Sequence, residues 1–400
     1  YVGIYDNPST PAADGLINFA KRLGITTLTR SDYGLSLTLG GGDVSLLEMT
    51  SAFSVFANNG RRIPPVAITK IVDFQGQVVY EYQLPAGDQV MRPEHAYLIS
   101  SILSDNQARA PMFGSDSVLN LGFPAAVKTG TTNDFRDNWT IGYTPDVAVG
   151  VWVGNADYTP MQNTTGLSGA APVWSEFMKA AIQSLTGGSP TAFVRPAGVV
   201  DRVVCLFSGA EPSEWCPQQR SEIFAYDQLP LSKEYDLWTK ARIDTWTGLR
   251  ASSACADFIE EKFALNIQDE SAVKWILETA EGNAWAEEMG FQQPIYFTPQ
   301  RECTANDVRP LILFAGLSEN QTINVNPLSV YALIKVPESF GEYRLEYGMG
   351  DDPADWEEIY KGNQQSDQPQ FLTDWDLSEI PAGRVTLRIY VTSQHDTYAE

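Results

Sequence analysis

Ala125-Ala126-Val127-Lys128-Thr129-Gly130 is a run of small apolar residues that ends in a polar tripeptide. Two further strand-like runs follow, Trp139-Thr140-Ile141-Gly142-Tyr143 and Val147-Ala148-Val149-Gly150-Val151-Trp152-Val153, joined through Thr144-Pro145-Asp146. Working outward, Pro172 opens an amphipathic helix that runs to about residue 185, with Trp174, Phe177, Met178, Ala181 and Ile182 expected inward. Upstream, a helix is expected over 12–24, with Leu16, Ile17, Phe19, Ala20 and Leu23 in helical period and Gly24 as its stop. Gly40-Gly41-Gly42 leads into a second helix over 45–59, where Ser45 and Glu48 have capping-box spacing and Gly60 ends the run. Residues 66–72 and 77–83 alternate about Gln75-Gly76 as a hairpin, and a helix runs from Pro93 to Leu103. The pattern is α+β: a mixed sheet with helices around it.

Four hundred residues exceed one ordinary core, and three segments are expected: 1–198, 199–309 and 310–400. Charge divides them. Residues 1–198 carry 12 basic and 16 acidic side chains, whereas 199–400 carry 15 and 34. So acidic a second half repels nucleic acid and anionic lipid, which excludes a phosphate-backbone partner. Segment 199–309 is irregular and cysteine-bearing, with helical periodicity near 256–265 and 270–289. Short alternating runs at 311–314, 330–336, 343–347 and 384–391 suggest a small all-β sandwich.

Cys205, Cys216, Cys255 and Cys303 include no C-x-x-C pair, and His95 and His395 are distant in sequence, which argues against a zinc site. Two disulfides in an oxidising compartment fit better than buried thiols. Cys205 and Cys216 close a short loop containing Gly209 and Pro212, which favours that pair. No run approaches the roughly 18–20 apolar residues that span a bilayer. Tyr1-Val2-Gly3-Ile4-Tyr5 lacks a starting Met and a basic leader, so any anchor or export signal is expected upstream.

The run 126–139, Ala-Val-Lys-Thr-Gly-Thr-Thr-Asn-Asp-Phe-Arg-Asp-Asn-Trp, continues as Thr140-Ile141-Gly142-Tyr143-Thr144-Pro145-Asp146 and Val151-Trp152-Val153-Gly154-Asn155. With Tyr33-Gly34-Leu35-Ser36-Leu37-Thr38-Leu39-Gly40-Gly41, Phe56-Ala57-Asn58-Asn59-Gly60 and Ser168-Gly169-Ala170-Ala171-Pro172-Val173-Trp174, it resembles the transpeptidase domain of class A penicillin-binding proteins, colinearly to about residue 185. The resemblance implies an incomplete penicillin-binding/serine β-lactamase-like domain and a serine DD-transpeptidase acting on D-Ala-D-Ala stem peptides of peptidoglycan, with β-lactams acylating the same serine. It implies no cofactor, an extracytoplasmic location, and a glycosyltransferase domain and membrane anchor upstream.

In that chemistry Lys128 attracts a substrate carboxylate and supports proton transfer. Thr129 and Thr131 donate hydroxyl hydrogen bonds to the carboxylate, and Gly130 lets a peptide lie against the strand edge. The Thr131 backbone N–H is placed to stabilise an oxyanion. More weakly, Val204-Cys205-Leu206-Phe207-Ser208-Gly209 and Cys216-Pro217 resemble a cysteine-bearing segment of some class A proteins, and 310–400 resembles an appended immunoglobulin-like sandwich.

The family orders its motifs S-x-x-K, S-x-N, K-T-G. Here the only S-x-x-K is Ser271-Ala272-Val273-Lys274, after Lys128 and so out of order. Ser104-Asp105-Asn106 lies only 24 residues before Lys128 and reads as a helix-end cap by Ser104; Ser318-Glu319-Asn320 is also out of order. The nucleophile is therefore expected upstream, and this chain alone is expected to be inactive. Two alternatives stay open: a serine β-lactamase or DD-carboxypeptidase, and a non-catalytic cell-wall-binding remnant.

Overall fold

A computed structural model describes residues 15–336, 340–394 and 397–400. His395 and the expected helix positions 12–14 lie outside them. The chain divides into two compact units: Tyr1–Arg202 with Ser221–Leu229, and Val203–Arg220 with Pro230–Glu400.

In the first unit, α1 (Leu16–Leu23) ends at Gly24, whose φ of 104° is left-handed and suits glycine. α2 (Leu46–Ala57) is capped by Ser45, whose hydroxyl accepts the Glu48 N–H at 3.1 Å. The expected capping box is only half formed. The Glu48 carboxylate turns away to take hydrogen bonds from the Thr26 and Thr27 hydroxyls at 2.6 and 2.5 Å. Two short ribbons follow: β1 (Arg61–Arg62) with β4 (Asp88–Gln89), and β2 (Lys70–Val72) with β3 (Val78–Glu81). Asp73 closes the second by accepting the Gln75 and Gln77 N–H groups at 2.8 Å each. α3 (Pro93–Ser104) and α4 (Asn106–Phe113) lead to the central sheet.

That sheet is β5 (Ala126–Thr131), β6 (Asp137–Thr144) and β7 (Val147–Gly154), in that order. It is antiparallel throughout rather than mixed, because connections of a few residues can join only antiparallel neighbours. α5 (Ala171–Thr186) covers one face: Trp174, Met178 and Ile182 pack with Val127 and Val149. α2 covers the other, and Gly150 gives it room, since a Cβ there would fall on the Thr50 hydroxyl and the Leu46 side chain. Phe177, expected inward, is exposed; it lies outside the stripe set by Ala171, Trp174, Ser175, Met178 and Ile182. Tyr143 is fully buried among Phe53, Phe56 and Phe193, with its hydroxyl 2.9 Å from Ser100 Oγ.

β8 (Val199–Cys205) and β9 (Gln219–Ala225) pair as a ribbon. From Ser221, within β9, the segment to Leu229 belongs to the first unit. There Arg92 pairs with both oxygens of Asp227 at 2.7 and 3.0 Å, and His95 Nε2 lies 3.1 Å from the Gln228 amide oxygen.

The second unit has more regular structure than its sequence suggested. β10 (Trp238–Asp244) pairs antiparallel with β11 (Ile259–Leu265), and β12 (Tyr296–Phe297) adds in parallel. The helix expected over 256–265 is therefore the strand β11. Its apolar spacing suits either state over so short a run, and pairing with β10, helped by the Lys240–Glu261 ion pair at 3.6 Å, settles it. The periodicity over 270–289 is two helices, α6 (Glu270–Glu278) and α7 (Ala280–Glu288), broken where Thr279 caps the second. Cys205 is bonded to Cys216, and Cys255 to Cys303.

Two antiparallel sheets complete the unit: β13 (Leu311–Ala315), β14 (Leu328–Lys335) and β17 (Gln370–Trp375) in the first, β16 (Glu357–Gly362), β15 (Phe340–Met349), β18 (Val385–Ser393) and β19 (Tyr398–Ala399) in the second. Val330, Ala332 and Ile334 from one sheet share a core with Tyr343, Leu345, Ile389 and Val391 from the other. No helix among the described residues is long and apolar enough to cross a membrane.

Candidate active site

β5 is an edge strand whose only partner among the described residues is β6. Its outer side offers backbone donors and acceptors to an added strand. The pleat sorts its side chains. Thr129 pairs with Thr140 and Thr131 with Asn138, which sets these four on the α5 face beside Val127. Lys128 and Gly130, paired with Ile141 and Trp139, lie on the α2 face. The four residues singled out from sequence therefore share one strand edge, but the two hydroxyls and the ammonium approach it from opposite faces. Lys128 is exposed, and its Nζ donates to the Thr129 carbonyl at 2.5 Å.

On the α5 face the edge rests on a π-helical turn, Gly166–Ala170, which runs directly into α5. The Gly166 N–H donates to Thr131 Oγ1 at 2.9 Å, and Thr140 Oγ1 donates to the Gly166 carbonyl at 3.0 Å. Gly166 must be glycine here: a Cβ would lie 2.7 Å from the carbonyl oxygens of Gly130 and Trp139. Asn138, with no exposed surface, spans the turn. Its Nδ2 donates to the Thr164 carbonyl at 3.3 Å and its Oδ1 accepts the Ala170 N–H at 3.0 Å. Thr165 and Ser168 close the turn with a reciprocal capping box.

On the α2 face Asp137 ties down the end of β5. Its carboxylate accepts from Thr132 Oγ1 at 2.9 Å and from Trp152 Nε1 at 3.0 Å, while its N–H donates to Thr132 Oγ1 at 2.9 Å. The loop between holds Asp134 and Phe135 at φ of 60° and 54°, and the loop after β7 holds Tyr158 and Asn163 at 60° and 50°. Each left-handed non-glycine costs on the order of 1 kcal/mol or more, and such residues gather at functional sites. The two loops brace each other, with Met161 N–H to the Phe135 carbonyl at 3.0 Å and Arg136 Nη1 to the Tyr158 carbonyl at 2.8 Å.

Sequence reading missed Asn138, Asp137, Thr140 and Gly166 as parts of this site. Only the small-residue run near Gly169 signalled close backbone approach. Of the decoys, Ser104 is no cap: its hydroxyl donates to the Ser101 carbonyl at 3.3 Å. Asp105 does the capping, accepting the Gln107 and Ala108 N–H groups at 2.8 and 3.0 Å at the start of α4. Ser271 and Lys274 are exposed on α6, in the second unit. The Ser318 N–H donates to the Gln321 side chain at 3.0 Å in a turn. Asp236 neighbours Cys205 and Cys216, and Asp244 neighbours Cys255 and Cys303, but these sulfurs are joined in disulfides and offer no thiolate.

A helix-covered antiparallel sheet with Lys-Thr-Gly on its open edge defines the class, and residues 21–179 match the family described as the penicillin binding protein transpeptidase domain. This part of the chain is similar to that family. The chain is 34% identical across 203 residues to penicillin-binding protein 1A of Clostridium tetani, covering 49% of this chain and 25% of that protein. It is 29% identical across 256 residues to penicillin-binding protein 2D of Bacillus subtilis, covering 58% and 36%. The chain thus spans about a quarter to a third of the length of these relatives. Among solved structures, penicillin-binding protein 1A from Haemophilus influenzae aligns at 23% identity with a TM-score of 0.45, covering 53% of this chain and 36% of that one. PonA1 from Mycobacterium tuberculosis in complex with penicillin V aligns at 24% identity with a TM-score of 0.37, covering 44% and 51%.

Proposed function

We propose that the first unit carries the substrate-binding edge of a peptidoglycan-cross-linking serine DD-transpeptidase. The observation that carries this reading is an edge strand, open on one side among the described residues, along which Lys128, Thr129 and Thr131 lie, inside a segment that matches the penicillin-binding transpeptidase family. A stem peptide ending in D-Ala-D-Ala adds to β5 as a further strand and sets its carboxylate among the Thr129 and Thr131 hydroxyls and the Lys128 ammonium. The Thr131 N–H faces the reacting carbonyl as oxyanion donor. β-Lactams occupy the same edge. The serine that forms the acyl-enzyme is not supplied by Ser104, Ser271 or Ser318.

Within this reading the protein works on the outer side of the cytoplasmic membrane, where the substrate lies and disulfides persist. Residues 310–400 form an immunoglobulin-like sandwich, which the shared core of its two antiparallel sheets supports.

Two measurements on the 400-residue chain test the proposal. Fluorescent penicillin should leave no covalent label after denaturation, and a stable adduct would show that a competent nucleophile is present. N-acetyl-D-alanyl-D-alanine should bind reversibly, weakened at least tenfold by Lys128→Ala. Undiminished binding in that variant rejects the edge as the carboxylate site.

A further inference from the structure

The Thr131 hydroxyl has one donor and two acceptor positions, and the fold uses one acceptor. The oxygen accepts the Gly166 N–H at 2.9 Å, while no acceptor for its proton is found among the described residues. A hydroxyl free to rotate can meet a ligand as donor or acceptor. One whose oxygen already accepts an N–H turns its proton away from that donor, and a carboxylate, which can only accept, meets that proton. The Gly166 N–H thus turns the Thr131 proton away from the 166–170 turn.

Thr140 Oγ1 holds the Gly166 carbonyl at 3.0 Å, and Asn138 fastens the turn on either side of it. The turn's first residue touches the edge backbone so closely that a single added carbon would collide with the Gly130 and Trp139 carbonyls. Both ends of the turn are fastened to one buried side chain, through Thr164 O at 3.3 Å and Ala170 N–H at 3.0 Å. Gly169 leaves space for that amide, since a Cβ there would approach Asn138 Oδ1 to 2.6 Å. Asn138 is also the cross-strand partner of Thr131, so staple and hydroxyl share one register position.

We propose that Asn138 is a positioning residue for the carboxylate-binding edge: by fastening the 166–170 turn at both ends, it holds the Gly166 N–H on the Thr131 oxygen and aims the Thr131 proton at an incoming carboxylate. The inference rests on the edge binding a carboxylate, as argued above. It adds a selection rule, namely that the site discriminates a free C-terminal carboxylate from its neutral amide partly through a residue that touches neither.

The test uses the 400-residue chain and ligand-detected NMR titration with N-acetyl-D-alanyl-D-alanine and its C-terminal amide. Wild type should favour the acid, and Thr131→Val should lower the acid-to-amide affinity ratio by about tenfold, the lower range for a hydrogen bond to a charged group. Asn138→Ala should lower the ratio to a similar extent and add nothing in the Thr131→Val background. Should Asn138→Ala not fold, Asn138→Ser reads the same ratio. A purely structural role predicts equal loss for acid and amide; that result, or additive effects in the double variant, overturns the inference. A wild type without acid preference and a silent Thr131→Val reject the edge reading itself, and this inference with it. Preference lost in Thr131→Val but kept in folded Asn138 variants rejects only the positioning role.

Discussion

Packing within the fold does not require a glycine at position 130. A Cβ added there meets only Trp139 Cβ, at an ordinary 3.6 Å, and the backbone is not left-handed. Gly130→Ala is therefore expected to change unfolding free energy by less than about 0.5 kcal/mol, while binding of the dipeptide falls because the methyl group crowds the open edge. A denaturant titration and a binding titration on the same sample check this; a large stability loss would show that the fold, not a ligand, requires the glycine. Gly142 is the opposite case, since its Cβ would fall on the Trp174 ring and the Ala126 carbonyl. Gly142→Ala should cost about 1–3 kcal/mol. Sequence marks both positions as glycine but cannot say which one the core requires.

At the scale of elements, the sheet is anchored where β6 meets α2 and α3. Burial pushes the Tyr143 phenol up to about 12, against the smaller downward pull of its Ser100 hydrogen bond. The folded-state value is thus raised above that of the unfolded chain, near 10. Its contribution to stability is complete below about pH 10 and is lost as pH rises through about 12. Chemical denaturation from pH 8 to 11.5 should show a falling midpoint in wild type and a flatter profile in Tyr143→Phe. Equal slopes would remove Tyr143 as the cause. The strands of this sheet were legible in sequence because their alternation and turns are local. β11 was misread because seven residues do not separate a helix from a strand until β10 pairs with them.

For the whole molecule, one disulfide spans far more chain than the other: Cys255 and Cys303 are 48 residues apart, Cys205 and Cys216 only 11. Loop-closure entropy puts the longer link at about 4 kcal/mol and the shorter at about 3 kcal/mol. Replacing each pair by serine should therefore destabilise the second unit in that order, read from the fluorescence of Trp238 and Trp246, while dipeptide binding by the first unit persists. A reversed order would point to native packing rather than loop closure. The chain path itself was only partly legible. Nothing local in 221–229 announces that it returns to the first unit, because Arg92–Asp227 and His95–Gln228 join residues more than 130 positions apart.

Sequence alone determined the three successive strands, the Lys128–Thr131 edge and the two-part charge distribution, since alternation, turn residues and composition are local properties. Tertiary structure decided how that edge is held. Which face each hydroxyl takes depends on strand register. The glycine whose N–H meets the Thr131 oxygen comes from a turn 35 residues away, fastened by a buried asparagine that, in sequence, is one polar residue among several. Contacts of that kind are set by packing across the sheet, which no spacing along the chain records.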